Sequence, residues 1–448
     1  MADILNAPVN ATLVEQSISL AATRRSTLWA RARTWSPKGA LALVDQGLIS
    51  GANFVVGIVL ARHLAPDQYG AYALAFQVYL FLSVAYSALF LEPLSVFGSS
   101  VYRKSNREYL GTLLRIYAVV AAVIFLGLLT CAWAVGRLSP GSELTSALIG
   151  VGVASPCLLL FSLARRGFYV KLSPLQAALG ALGYFAVVLG GLLFAFHRGT
   201  LSPLVAFLLF AAGAGVTAPM MLARLRSSLK PQHATLKLSE VIHRHWGYGR
   251  WALGSAVAVW FSTAIYYPIL GSFHGLAETG ALQALGNFSS PVGQAFAAMS
   301  LLSLPYAAGI HYQQTSKETG HLAAKLALIY AGGTILYWLL IVLFRWQIVE
   351  HLYAGRYMGI VGMIPWLGLA SVLRISATSQ AIILRAMHAP YLVFVAYGAA
   401  SVVDVVAGIP CTWAFGLRGA IFGMVLASGV ALIVTLVMLH RHTPAKNS

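Results

Sequence analysis

Arg374 and Asp404 each stand in apolar sequence with no other Asp, Glu, Lys or Arg within ten residues on either side. An isolated charge in hydrocarbon costs about 2.5–3.5 kcal/mol on insertion scales, so such residues are candidates for function wherever they persist. A second acid, Asp45, begins a polar series with Gln46, Ser50 and Asn53, the last three at an i, i+4, i+7 spacing that forms one helical face. Tyr79, Ser83 and Tyr86 make a second such stripe, and Asn287, Ser290 and Gln294 a third. One buried cation, a few carboxylates and rows of hydroxyls and amides amount to binding chemistry. Catalysis would need more. The chain has no paired carboxylates, no nucleophile constellation and no glycine loop ending in Lys-Ser or Lys-Thr, so no catalytic residue, cofactor or direct use of ATP is expected. Cys131, Cys157 and Cys411 lack metal-ligand spacing and His243 and His245 are isolated, so no metal is expected either.

The elements that must position these residues are membrane helices. Of 448 residues, 59% are hydrophobic and only 9% charged, with a mean hydropathy of +0.77. Soluble domains carry about 25% charged residues, so a water-soluble globule is excluded. A spanning helix needs roughly 20 apolar residues. Twelve such runs occur, near 41–61, 71–91, 116–135, 144–164, 176–196, 201–222, 251–270, 284–308, 323–344, 358–379, 391–413 and 419–439.

The formal net charge of +18 raises a nucleic-acid partner, but the basic residues sit in short loops between the runs and not on one face of a soluble domain. No nucleic acid is expected. On alternate sides of the membrane the loops and termini hold 23 and 6 Lys and Arg, with Arg374 alone inside a span. Positive charge is retained on the inside, which predicts cytoplasmic termini. Residues 1–40 read as a basic cytoplasmic arm, too polar and too far from the first run for a cleaved signal peptide. Leu28, Trp29 and Trp35 in that arm suit either a plain topology determinant or contact with an anionic leaflet.

The chain repeats. Leu64-Ala65-Pro66-Asp67-Gln68-Tyr69-Gly70 after span 1 matches Gly275-Leu276-Ala277-Glu278-Thr279-Gly280 after span 7, with Gly70 and Gly280 at an offset of 210. At that offset Gln77 meets Asn287, Tyr102 meets Tyr312 and Arg115 meets Lys325; later Pro174 matches Pro390. Residues 41–222 and 251–440 are therefore read as six-helix lobes, joined by a cytoplasmic linker at 223–250 and followed by a tail at 441–448. An even number of spans per copy gives both copies the same orientation, related by an axis along the membrane normal, with a binding site between them. Asn53, Gln77, Arg115, Arg250, Asn287, Lys325 and Arg374 are the substrate-path candidates, and Asp45 and Asp404 the candidates for ion coupling or ion pairing. Arg374 and Asp404 lie about 16 and 20 Å from the cytoplasmic side at 1.5 Å per residue, which predicts an ion pair between adjacent helices or, alternatively, an anion ligand beside a protonatable switch. Arg115 and Lys325, with Arg250, are expected to form a positive cytoplasmic mouth.

Gln46-Gly47, Ser50-Gly51-Ala52-Asn53-Phe54, Ala61-Arg62-His63-Leu64 with Tyr69-Gly70, Leu91-Glu92-Pro93 and Tyr248-Gly249-Arg250-Trp251 resemble the O-antigen and exopolysaccharide flippases. These polysaccharide transporters belong to the superfamily that also holds multidrug-and-toxin extruders and lipid II flippases. The resemblance implies an all-α integral membrane fold of about twelve helices in two parallel six-helix repeats, like the multidrug-and-toxin extruders. It also implies alternating-access transport of polyprenyl-pyrophosphate-linked oligosaccharide across a bacterial inner membrane. The implied partners are that lipid-linked substrate, membrane lipids, and a polysaccharide polymerase with its chain-length machinery. The same fold carrying an organic cation against protons or sodium is the alternative, although a cation site wants several cavity acids and only Asp45 and Asp404 are available. A membrane glycosyltransferase would need acids in a sizeable outer loop, and a major-facilitator carrier its loop motif between spans 2 and 3, where Ser99-Ser100-Val101-Tyr102-Arg103-Lys104 stands.

Overall fold

A computed structural model describes residues 38–227, 229, 236–313, 316–387 and 389–442. Among these residues the chain is helical throughout, as an apolar environment demands, since a helix satisfies its own backbone hydrogen bonds. The first lobe comprises α1 (Lys38–His63), α2 (Pro66–Ser99), α3 (Asn106–Leu138), α4 (Glu143–Val170), α5 (Pro174–His197) and α6 (Pro203–Ser227). The second begins with α7 (Leu238–Ala264, continued after Ile265 by Tyr266–Phe273) and α8 (Leu276–Gln313). After α9 (Ser316–Leu343), a short helix (Arg345–Tyr353) leads into α10 (Met358–Ala386).

The last hydrophobic stretch, Tyr391–His442, is 52 residues long, too long to cross a bilayer once. It turns back at Gly416, whose φ of +58° suits glycine, so α11 occupies 390–415 and α12 417–442. Glu278 of α8 caps this turn by accepting from the Leu417 amide at 2.7 Å. Proline opens α2, α5 and α6, where its missing N–H costs nothing. The twelve expected helices are thus present in two sets of six. The 223–250 interval read as a linker contains the first turns of α7, which starts at Leu238. The basic arm at 1–37 and most of the tail lie outside the described residues, as does Lys38's upstream neighbourhood of Arg31 and Arg33.

The helices pack unevenly around their circumference. α4 is the central element of the first lobe, buried along much of its length against α1, α2, α3, α5 and α6, whereas α3 turns Val119, Val123, Leu126 and Trp133 outward. Two helices also carry a π-helical turn, Ser87–Leu91 in α2 and Asp404–Gly408 in α11. Such turns leave a carbonyl without its usual partner and concentrate at functional sites.

Below, the N-terminal face is the one where α1 begins and the opposite face the one where it ends. The lobes close on each other at the opposite face. A Cβ at Gly70 would fall 1.7 Å from the Leu276 carbonyl oxygen and one at Gly280 would fall 2.7 Å from that of Pro66, so α2 and α8 cross there backbone to backbone. Arg62 donates to the His351 carbonyl at 2.8 Å and Arg356 to the Leu64 carbonyl at 2.6 Å, tying the short helix and the start of α10 to the end of α1.

Candidate functional site

Toward the N-terminal face the lobes separate around a cavity of about 580 Å³. Asp45, Gln46 and Gly47 of α1 line it together with Ser162, Arg165, Arg166 and Tyr169 of α4 and Gln294 of α8. Asp45 is fully buried, and both its oxygens are engaged. Arg165 Nε donates to Oδ1 at 3.0 Å and Nη2 to Oδ2, while the Tyr169 hydroxyl donates to Oδ2 at 2.6 Å. A bidentate guanidinium pair of this kind is the strong form of ion pair. Arg166, adjacent in sequence, brings a second cation to the same wall, so its lining charges sum to one excess positive.

A smaller cavity of about 180 Å³ continues into the first lobe between α1, α2, α4 and α5, lined by Gln46, Asn53, Tyr79, Ser83, Ser162 and Arg165 among others. The Tyr184 hydroxyl points at Asn53 Oδ1 over 3.4 Å. The polar faces read from α1 and α2 therefore do meet in one chamber.

The second lobe holds its own cavity of about 330 Å³, bounded by α8, α10, α11 and α12. Its polar lining is Ser289, Ser300, Ser371, Arg374, Thr378, Tyr397 and Ser428. Arg374 is exposed to this space and forms no ion pair among the described residues. Ser289 and Ser371 share a hydrogen bond at 3.3 Å, as do Thr378 and Tyr397. A cation ringed by hydroxyl donors and acceptors, with Phe296 and Tyr397 as flat apolar walls, can take an anionic group and the polar atoms around it.

The expected pairing of Arg374 with Asp404 is not made. Asp404 is fully buried in the π-helical turn of α11 and accepts from the Tyr266 hydroxyl at 2.6 Å, at the point where α7 breaks. Similar depth fixes only height along the two helices; around its own axis α11 turns Asp404 toward α7, where the Tyr266 hydroxyl donates to it, instead of toward α10.

The other expected path residues are distributed differently. Asn53 lines the first-lobe cavity. Asn287 is buried at the closed end, its amide donating to the Tyr69 hydroxyl at 3.0 Å and the Tyr353 hydroxyl at 3.3 Å, while Tyr353 donates to the Ala284 carbonyl. With Tyr72 and Tyr357 these rings form an aromatic plug across the lobe boundary. Gln77 is buried in α2 and lines neither the inter-lobe nor the second-lobe cavity. Arg115, Arg250 and Lys325 are exposed on α3, α7 and α9 and line none of the three cavities. A positive wall is supplied instead by Arg165 and Arg166 of α4. α4 runs on to Val170, beyond its apolar run, and its last turns carry both arginines on the bundle's inner side.

No family model matches this chain, and no curated protein matches it. Solved structures do. An inward-facing multidrug resistance MATE family transporter of the MOP superfamily superposes with a TM-score of 0.75 at 13% identity, covering 89% of this chain and 94% of that one. The lipid II flippase MurJ, in an inward closed conformation, gives 0.68 at 13% identity, covering 92% and 87%. A MOP superfamily transporter from Pyrococcus furiosus, described by the reverse polarity of its binding pocket, gives 0.61 at 11% identity, covering 90% and 94%. The chain has the fold of these proteins along nearly its whole length.

Proposed function

We propose that this protein is a flippase that moves polyprenyl-pyrophosphate-linked oligosaccharide from the cytoplasmic to the outer leaflet of a bacterial inner membrane by alternating access, in the synthesis of surface or exopolysaccharide. The observation that carries the reading is the sign of the cavities. Arg374 presents its charge to an open chamber without a carboxylate in its lining, and the wall nearer the N-terminal face adds Arg165 and Arg166, with Asp45 paired to the first and Glu92 of α2 near the second. A fixed cation in a poorly hydrated space favours an anion strongly, because little solvent competes for it. The hydroxyl lining suits a sugar, and 330–580 Å³ falls within the usual range for ligand sites.

The fold is shared with proteins named as multidrug transporters and as a lipid II flippase, and transport is the function common to those names. Between these two cargoes the carboxylates favour the anion. An organic cation needs an available acid, but Asp45 is held by Arg165 and Tyr169, and Asp404 is sealed against Tyr266. The excess of Lys and Arg on the N-terminal face supports its being cytoplasmic, with the 580 Å³ cavity opening inward. A polymerase and its chain-length machinery would then meet the product on the other side.

Deleting the gene in its host is expected to accumulate lipid-linked oligosaccharide on the cytoplasmic face of the membrane. Restoring the wild-type gene should clear the accumulation, and Arg374→Ala should fail to. A null strain with normal surface glycan and no such accumulation, but newly sensitive to organic cations, would establish the cation carrier instead.

A further inference from the structure

α7 belongs by sequence to the second lobe, yet its first turns, which precede its apolar run, pack on the first. His245 is the fastening point, with only 7% of its surface exposed. Its Nδ1 lies 2.9 Å from the Leu89 carbonyl and its Nε2 2.6 Å from the Tyr109 hydroxyl. The carbonyl can only accept, so Nδ1–H donates to it; in the neutral imidazole, the form that burial favours, Nε2 then accepts from the phenol and both nitrogens are satisfied. Leu89 lies in the π-helical turn of α2, where carbonyls are released from the ordinary helical ladder. Phe90 and Phe97 flank the ring, and Gly249, one turn on, lets α7 lie directly against Ala88 and Leu89. At its other end α7 is held by the second lobe's π-helical turn, through Tyr266 and Asp404. The helix is therefore fixed to both lobes and broken between them at Ile265.

We infer that His245 is a proton-sensitive latch: neutral, it binds α7 to the first lobe, and its protonation from the N-terminal face frees α7 to move with the second. The inference rests on the reading that the two lobes move against each other. No carboxylate pairs with the ring, and burial opposes its charged form. α2 presents the Leu89 carbonyl and two phenyl rings; α3 presents Tyr109, itself stacked on Tyr102 at 4.2 Å. On α7 the Glu240 and Arg244 charges pair with each other at 3.1 Å, exposed, and Tyr248 stands beyond Phe97. Glu92 on α2 and Glu108 beside Tyr109 are the acids of the adjoining helices, and neither makes an ion pair with His245. Protonation makes Nε2 a donor, so the Tyr109 hydroxyl must accept and turn its own O–H away from its present acceptor, and a charge is left in a buried site. Burial accordingly holds the imidazole below its ordinary value, with the Leu89 bond opposing in part. A released ring titrates near 6.5. The latch is then at full strength above that value and is lost as pH falls below it toward the lower value of the latched ring.

Spin labels at Ile242→Cys on α7 and Leu172→Cys between α4 and α5, both exposed, in a chain with Cys131, Cys157 and Cys411 replaced, read the latch directly. The distance distribution of the full-length protein in nanodiscs should be narrow at pH 7.5. Below pH 6.5 the ratio of latched to released populations should fall by up to about tenfold per unit. His245→Gln should abolish that dependence, His243→Gln should retain it, and Tyr109→Phe should lower the latched fraction already at pH 7.5. The same pH response in His245→Gln, no response in the unsubstituted chain, or an unchanged fraction in Tyr109→Phe would each overturn the latch. Because no cargo is present, a failed flippase assay leaves this result standing, and the reverse holds too.

Discussion

At the scale of single residues the account turns on where charge is compensated and where it is not. Arg165 and Asp45 compensate each other, so removing either strands its partner. Arg165→Ala leaves a fully buried carboxylate and is expected to cost about 3–5 kcal/mol, measurable as a lowered unfolding midpoint in detergent. Asp45→Asn keeps the shape and one acceptor, and should cost less. Arg374 has no such partner, so Arg374→Ala should leave stability nearly unchanged, or raise it, while abolishing transport; Arg374→Lys should retain part of it, since a point charge survives but the two-pronged geometry does not. Arg374 was legible in the sequence, because a lone cation in an apolar run admits few readings. Arg165 was not. It lies within five residues of the end of its helix, next to Arg166 and Lys171, where a loop charge and a cavity charge have the same neighbours.

At the scale of elements, the α2–α8 crossing is made by Gly70 and Gly280, which stand at equivalent places in the two copies; the repeat shows their equivalence, and only the structure shows that they meet. A side chain at either position cannot fit the closed arrangement. Gly70→Val is expected to force the opposite face open, and cysteines on α2 and α8 near the crossing should lose their crosslinking efficiency. Asn287→Ala removes both donors to Tyr69 and Tyr353 and should loosen the same plug by about 1–3 kcal/mol, seen as faster hydrogen exchange in the short helix Arg345–Tyr353. Helix breaks were far less legible than helices. The π-helical turns at Ser87–Leu91 and Asp404–Gly408 have the same apolar composition as their surroundings, but each is followed at the same offset by a proline, Pro93 and Pro410, which lacks the N–H that would bond the Leu89 and Val406 carbonyls. That Asp404 faces Tyr266 and not Arg374 depends on how α11 is rotated against its neighbours, which residue spacing does not report. The short helix was read as an outer loop because nine residues are too few to register as a span.

At the scale of the whole molecule, two lobes are pressed together at one face and separated by a chamber toward the other, as alternating access requires of one end state. Hydropathy and the repeat made the twelve helices and their grouping legible, since both follow from bilayer thickness and from duplication. The sign of the chamber was legible only in part, because it depends on which arginines turn inward. The central claim is that the cavities of the two lobes, above all the one into which Arg374 projects, accept negatively charged cargo. The most direct measurement is equilibrium binding of a polyprenyl pyrophosphate to the purified full-length protein in nanodiscs, compared with Arg374→Gln and with an organic cation as competitor. We expect saturable binding that weakens by about 10–100-fold in Arg374→Gln, as loss of a charge-assisted contact worth 1.5–3 kcal/mol requires, and no displacement by the cation. Equal affinity in the two proteins, or displacement by the cation at comparable concentration, would contradict it.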